Sequence, residues 1–279
     1  MLAKDLEVFR AHCAILRLGG DRSSRRGADL AHPRKCRRNS LHFPPMGTPG
    51  RAMGRSDVES LTLRVDEAHT VSGLLLVPSQ AGACYVLAHG AGAGMFHPFM
   101  QVVARELAER GVATLRYQFP YMEQGGKRPD PPKLAHATVR AAVVQAARLM
   151  PTLPLIAGGK SFGGRMTSQT QAASALPGVR GLVFLGFPLH PTDRPSNERA
   201  THLFQVEVPM LFLQGTRDRL ADLGLLEPLV ERLGPRASLR LVQDADHSFR
   251  MPVRADAAVK RNMMDSIAEW AFALISQRR

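Results

Sequence analysis

Residues 157–165 read AGGKSFGGR, and Gly159, Lys160 and Ser161 within them could serve two different chemistries. A phosphate-binding loop ends in Gly-Lys-Ser or Gly-Lys-Thr at the mouth of a helix, and an earlier glycine lets consecutive amides turn toward the anion. That glycine would fall at position 154, where the chain has Pro154. Proline fixes φ and has no amide hydrogen, so the phosphate cradle fails on its mechanics. The same letters spell Gly159-Lys160-Ser161-Phe162-Gly163, the G-x-S-x-G of a nucleophile elbow. There a serine sits on a tight turn between a strand and a helix, and small residues on either side let neighbouring backbones close in.

A serine hydroxyl attacks well only when a base takes its proton, and the base must itself be oriented. Two later segments offer these partners. MLFLQG runs into Gly215-Thr216-Arg217-Asp218, and SLRLV runs into QDADHSF, which contains His247. The order Ser161, Asp218, His247 is that of a Ser-acid-His hydrolase. Asp222, Asp244 and Asp246 compete for the acid position. Asp246 is next to His247 in sequence and approaches it from the wrong direction, and Asp222 falls on the helix that follows. Two backbone amides must also converge on a developing oxyanion. The expected pair is Phe162, after the nucleophile, and Ala91, in the loop His89-Gly90-Ala91-Gly92-Ala93-Gly94. A dinucleotide-binding G-x-G-x-x-G in that loop would need a third glycine where Met95 stands. His89 is read as a brace for the loop, and His97 and His190 as structural.

The elements that must position these residues follow a regular pattern. LTLRV and VSGLLLVP read as a hairpin of edge strands. Apolar runs (CYVLAH, VATLRY, LPLIAG, GLVFLGF, MLFLQG, SLRLV) then alternate with helical stretches from PFMQVVARELAERG to AAVKRNMMDSIAEWAFALI. Continuous rather than alternating apolar strands belong to a sheet covered on both faces. The expected fold is therefore α/β, a doubly wound, mostly parallel sheet with ligands beyond the carboxyl ends of its strands. Only the segment PLHPTDRPSNERATHLFQVEVP separates GLVFLGF from MLFLQG, which limits any lid to a short helix through ERATHLF. Tyr117, Phe119 and Tyr121 are expected to line a fairly open cleft.

The formal charge of +13 would fit a nucleic-acid partner, but it is concentrated at one end. Residues 1–55 hold 12 Lys/Arg against 4 Asp/Glu, leaving only +5 for the other 224 residues. Leu2, Leu6, Phe9, Cys13 and Leu16 fall at helical spacing, and the rest of the segment is rich in Arg, Gly, Pro and Ser. Residues 1–57 are read as a basic, disordered N-terminal extension and 58–279 as the catalytic domain. The tail is taken as solvated, or as preceding a true start at Met46 or Met53. Contact with nucleic acid is the less favoured alternative, because no aromatic residues interleave the arginines for stacking. Three cysteines without ligand spacing point away from a disulfide framework or a metal site, and toward the cytoplasm. No apolar run is long enough for a bilayer, so no membrane association is expected.

HGAGAGMFHPFM, LRYQFPYMEQGGKRPDPP, GGKSFGGRMTS, LVFLGFPLHP, PMLFLQGTRD and ADHSF together resemble the α/β-hydrolase-like domain shared by testis-expressed protein 30, the third subunit of the nonspecific-lethal chromatin complex, and bacterial dienelactone-hydrolase-like proteins. The resemblance spans residues 61–279. It implies the α/β-hydrolase fold and a triad of Ser161, Asp218 and His247. Dienelactone hydrolases carry a cysteine nucleophile where this chain has Ser161, so lactone specificity does not transfer. The expected activity is hydrolysis of small or medium carboxylic esters through an acyl-serine, with neither cofactor nor metal. The alternative is a non-catalytic interaction module.

Overall fold

The computed structural model describes residues 16–18, 58–251 and 256–276. Most of the basic extension lies outside this range, including the helical spacing of Leu2 to Cys13. Leu16, expected on that helix, instead belongs to a three-residue strand.

A nine-stranded sheet forms the centre of the molecule, in the order β1-β9-β8-β7-β6-β4-β5-β3-β2. Strand β1 (Leu16–Leu18) runs parallel to β9 (Ala237–Val242) at one edge. At the other edge β2 (Val58–Arg64) and β3 (Thr70–Leu76) form the expected antiparallel hairpin, and β3 pairs antiparallel with β5 (Val112–Tyr117). The remaining strands β4 (Ala83–Ala88), β6 (Leu155–Lys160), β7 (Val179–Leu185) and β8 (Met210–Gly215) are parallel neighbours.

Helices cover both faces, which is why the central strands carry apolar residues at nearly every position. Strand residues alternate between faces. Tyr85, Leu87, Val183 and Leu185 therefore pack under α1 (Pro98–Ala108) and α6 (Asp256–Ser276). Val86, Ala88, Leu182 and Phe184 pack under α3 (Pro132–Leu149), α4 (Phe162–Ala173) and α5 (Leu223–Leu233). The short helix α2 (Pro120–Glu123) follows β5, and a 3-10 segment, Glu198–Gln205, occupies the ERATHLF stretch and packs on α4.

The winding reverses at β4, whose neighbours are β5 on one side and β6 on the other. A crevice opens at such a switch point. Ala88 and Gly159 are Cα partners across β4 and β6, so the loops carrying Ala91 and Ser161 leave the sheet side by side.

Candidate active site

The elbow is built by backbone contacts. Ser161 takes φ 49° and ψ −115° between the end of β6 and the first residue of α4. A non-glycine residue at positive φ is strained by about 1–3 kcal/mol and persists only where its surroundings over-determine it. Here Ser161 N donates to Leu185 O at 3.2 Å, and Ser161 O accepts from Arg165 N at 3.1 Å. The glycines on either side are dictated by contact. A Cβ on Gly159 would lie 2.1 Å from Ala88 O, and one on Gly163 would lie 2.4 Å from His89 O.

Ser161, His247 and Asp218 meet in one hydrogen-bonded chain. Ser161 Oγ is 2.8 Å from His247 Nε2, and His247 Nδ1 is 2.7 Å from Asp218 Oδ2. The Asp218 side chain has no solvent exposure. Its carboxylate is satisfied on both oxygens, by Gln214 Nε2 at 2.6 Å on Oδ2 and by Leu220 N at 2.8 Å on Oδ1. A carboxylate only accepts, so Nδ1 carries the imidazole proton and the lone pair of Nε2 faces the serine hydroxyl.

The competing acids have other duties. Asp222 caps α5 by accepting from Gly224 N, and Asp246 closes its own turn by accepting from Ser248 N and Arg250 N. Asp244 sits at φ 59°, its amide donating to Thr216 Oγ1. His190 accepts from Asp222 N and His97 from Phe99 N, both structural contacts.

Across from the elbow, the β4 loop presses against Ser161. A Cβ on Gly90 would stand 3.7 Å from Ser161 Cβ. The amides of Ala91 and Phe162 enter none of the turn and loop hydrogen bonds among the described residues. His89 holds this loop: its Nε2 accepts from Phe119 N at 3.0 Å, so its protonated Nδ1 donates to Gly90 O at 2.8 Å. Burial lowers the His89 pKa to about 4 against the opposing pull of the Gly90 carbonyl, which keeps the ring neutral.

Tyr117, Phe119 and Tyr121 do not form the open aromatic wall expected of them. Their exposures are 1%, 0% and 5%. Phe119 packs edge-on against His89, Tyr117 and Phe162, with ring centroids 5.0–5.5 Å apart. Burying three rings behind the β4 loop gains more than leaving them at a wet mouth. They pack beneath the loop that carries His89 and against Phe162. Tyr121 keeps the most exposure of the three, and its hydroxyl is buried.

Lys160 is the residue that motif reasoning passed over, because it fills a variable position of G-x-S-x-G. Its ammonium donates to His247 O at 2.5 Å and lies 5.4 Å from the centre of the Phe249 ring. A Cβ on Gly186 would fall 3.0 Å from Lys160 Nζ and 3.5 Å from both Asp218 Oδ2 and His247 Nδ1, so the ammonium sits behind the Asp–His pair. Burial lowers its pKa to about 8, with Asp218 and Asp246 opposing the shift. The only sequence signal was a lysine entering a buried elbow, where an unpaired charge would be costly.

A serine joined through histidine to a buried aspartate, at the carboxyl ends of a doubly wound sheet without a large covering insertion, places the molecule in the α/β-hydrolase class. The chain belongs to the alpha/beta hydrolase domain family, whose profile matches residues 81–275. A dienelactone hydrolase from Anabaena variabilis shares the fold at a TM-score of 0.62 and 21% identity, over 78% of this chain and 97% of that one. An α/β serine hydrolase without a lid from Xanthomonas campestris aligns at 0.58 and 20% identity, over 77% and 98%. An esterase from Pyrococcus furiosus aligns at 0.62 and 16% identity, over 80% and 97%. No helix among the described residues is long and apolar enough to cross a membrane.

Proposed function

We propose that this chain is a serine hydrolase that cleaves small or medium carboxylic esters. The observation that carries the reading is the unbroken chain from Ser161 Oγ through His247 to Asp218, with links of 2.8 and 2.7 Å. As Ser161 Oγ attacks the ester carbonyl, its proton passes to His247 Nε2 and the carbonyl π electrons collect on oxygen. The amides of Ala91 and Phe162 donate to that oxyanion. Collapse expels the alcohol, which takes the proton from His247 and leaves an acyl-serine. Water, activated by the same histidine, then releases the acid and restores Ser161. Asp218 holds the tautomer and stabilises the imidazolium without taking the proton. No metal or cofactor enters these steps. The serine hydrolase and esterase among the similar folds support the reading, as does the resemblance to the testis-expressed protein 30 type. A soluble, cytoplasmic hydrolase domain preceded by a basic extension over residues 1–57 completes the proposal.

Labelling by a neutral fluorophosphonate tests it. Wild type should label, and Ser161→Ala and His247→Ala should not. A folded wild type that fails to label would refute the assignment in favour of a non-catalytic module.

A further inference from the structure

One helical turn beyond the nucleophile, α4 presents Arg165, whose amide donates to Ser161 O. Helical Cα–Cβ bonds tilt toward the helix N-terminus, which for α4 is the end that follows Ser161. Arg165 is half-buried, and its Nε is buried without a hydrogen-bond partner. Burial and then the nearby charge of Arg199 lower its pKa. Arg199 is also half-buried and comes from the 3-10 segment lying over α4. Among the described residues neither guanidinium has an ion pair or a side-chain hydrogen bond.

The groups around them are basic too. His202 Nε2 lies 2.8 Å from Ser168 Oγ, whose hydroxyl already donates to Arg165 O. His202 is therefore the donor, and burial, followed by Arg165 and His136, lowers its pKa to about 4. His136, on α3, meets Gln169 at 3.2 Å. Three elements thus bring basic side chains to one spot with no carboxylate bound among them. Two like charges, half-desolvated and without acceptors, oppose folding. A planar guanidinium pair is also the arrangement best suited to grip a carboxylate. A relay of contacts links the spot to the triad: the His202 ring is 6.5 Å from that of Phe187, which follows the Gly186 packed against Asp218 and His247.

We propose that Arg165 and Arg199 form an anion subsite that holds a carboxylate carried by the ester substrate, with neutral His202 as a wall. This rests on the hydrolase reading and narrows it to esters that bear a free acid. The charge either stands on the acyl side, as in a dicarboxylic half-ester, or on the alcohol side.

The test compares matched pairs: monomethyl with dimethyl glutarate for the acyl side, and 4-acetoxybenzoate with its methyl ester for the alcohol side. Each kcat/KM is normalised to hydroxide-catalysed hydrolysis. One charged member should exceed its neutral partner by at least about tenfold, the worth of one charge-assisted hydrogen bond. That preference should collapse in Arg165→Gln and, independently, in Arg199→Gln, and should survive better in Arg165→Lys. A wild-type ratio near one in both pairs, or a preference that both Gln variants retain, would overturn the subsite. Fluorophosphonate labelling of the same samples separates the two failures. A labelled enzyme without charge preference loses only the subsite, whereas an unlabelled folded wild type loses the hydrolase reading and the subsite with it.

Discussion

Ser161 is held by backbone atoms packed around glycines within a few residues of it, while His247 is held by side chains from distant parts of the chain. At the serine end, Gly159 and Gly163 let β6 and α4 close on Ala88 and His89, and the nearest side-chain tie, from Thr167 Oγ1 to Gly158 O and Gly163 O, is itself local. At the histidine end, a turn closed by Asp246 is tied down by Asp218, 29 residues away in sequence, and by Lys160, 87 residues away. The difference separates two kinds of damage. Changes at the elbow should strike folding, and changes at the tethers should strike rate and its pH dependence while the fold survives.

The largest expected effect is at the acid. Asp218→Asn keeps the shape and leaves His247 in the wrong tautomer, so kcat should fall by roughly 10³–10⁴-fold in a folded protein. A loss below about tenfold, with an intact circular dichroism spectrum, would break the division of labour just drawn. At the elbow, Gly163→Ala forces a Cβ into His89 O and should cost about 3 kcal/mol or more by urea unfolding. Near-normal stability there would show that the turn is looser than its contacts imply.

Lys160→Met should lower kcat/KM by about tenfold, because it removes a charge-assisted bond from the histidine loop. The wild-type rate should also fall as pH rises through about 8, where Lys160 loses its proton, and this limb should vanish in the variant. Unfolding cannot mimic that limb. Burial has depressed this pKa from 10.5 to about 8, so between those values the unfolded chain binds more protons than the folded one, and Lys160 makes stability rise with pH. A thermal melt across the same range separates the two effects.

The remaining effect is on the acid side. His89 and His202 are held neutral by burial, both near 4 against 6.5. Their contribution is present above 6.5 and is lost as pH falls toward 4, because the unfolded chain takes up protons first. The melting temperature should decline over that window, and less steeply in His89→Gln; equal slopes would remove His89 as a buried brace.

Much of this is legible in the sequence. The alternation of apolar runs with amphipathic stretches identified every strand from β2 to β9, and the order Ser161, Asp218, His247 placed each residue beyond a strand end. The aromatic wall was misjudged because a turn rich in Pro and Gly looks solvated, whereas Tyr117, Phe119 and Tyr121 fold beneath the loop that carries His89. Strand β1 was missed because LRL is too short to show a period. Nothing in the sequence marks Arg165 and Arg199, because spacing along the chain does not bring α4 and the 3-10 segment together.

Local order and local sterics are written into the chain itself: which segments become strands, where glycine alone can stand, and which residue types follow each strand. Side-chain distances across the molecule are not, because they depend on how the sheet twists and how its loops emerge. Only the tertiary structure could choose Asp218 over Asp222, Asp244 and Asp246, bring Lys160 behind His247, and bring Arg199 close enough to Arg165 to shift its titration. Spacing along the chain sets what a residue can do, and distance through space sets what it meets.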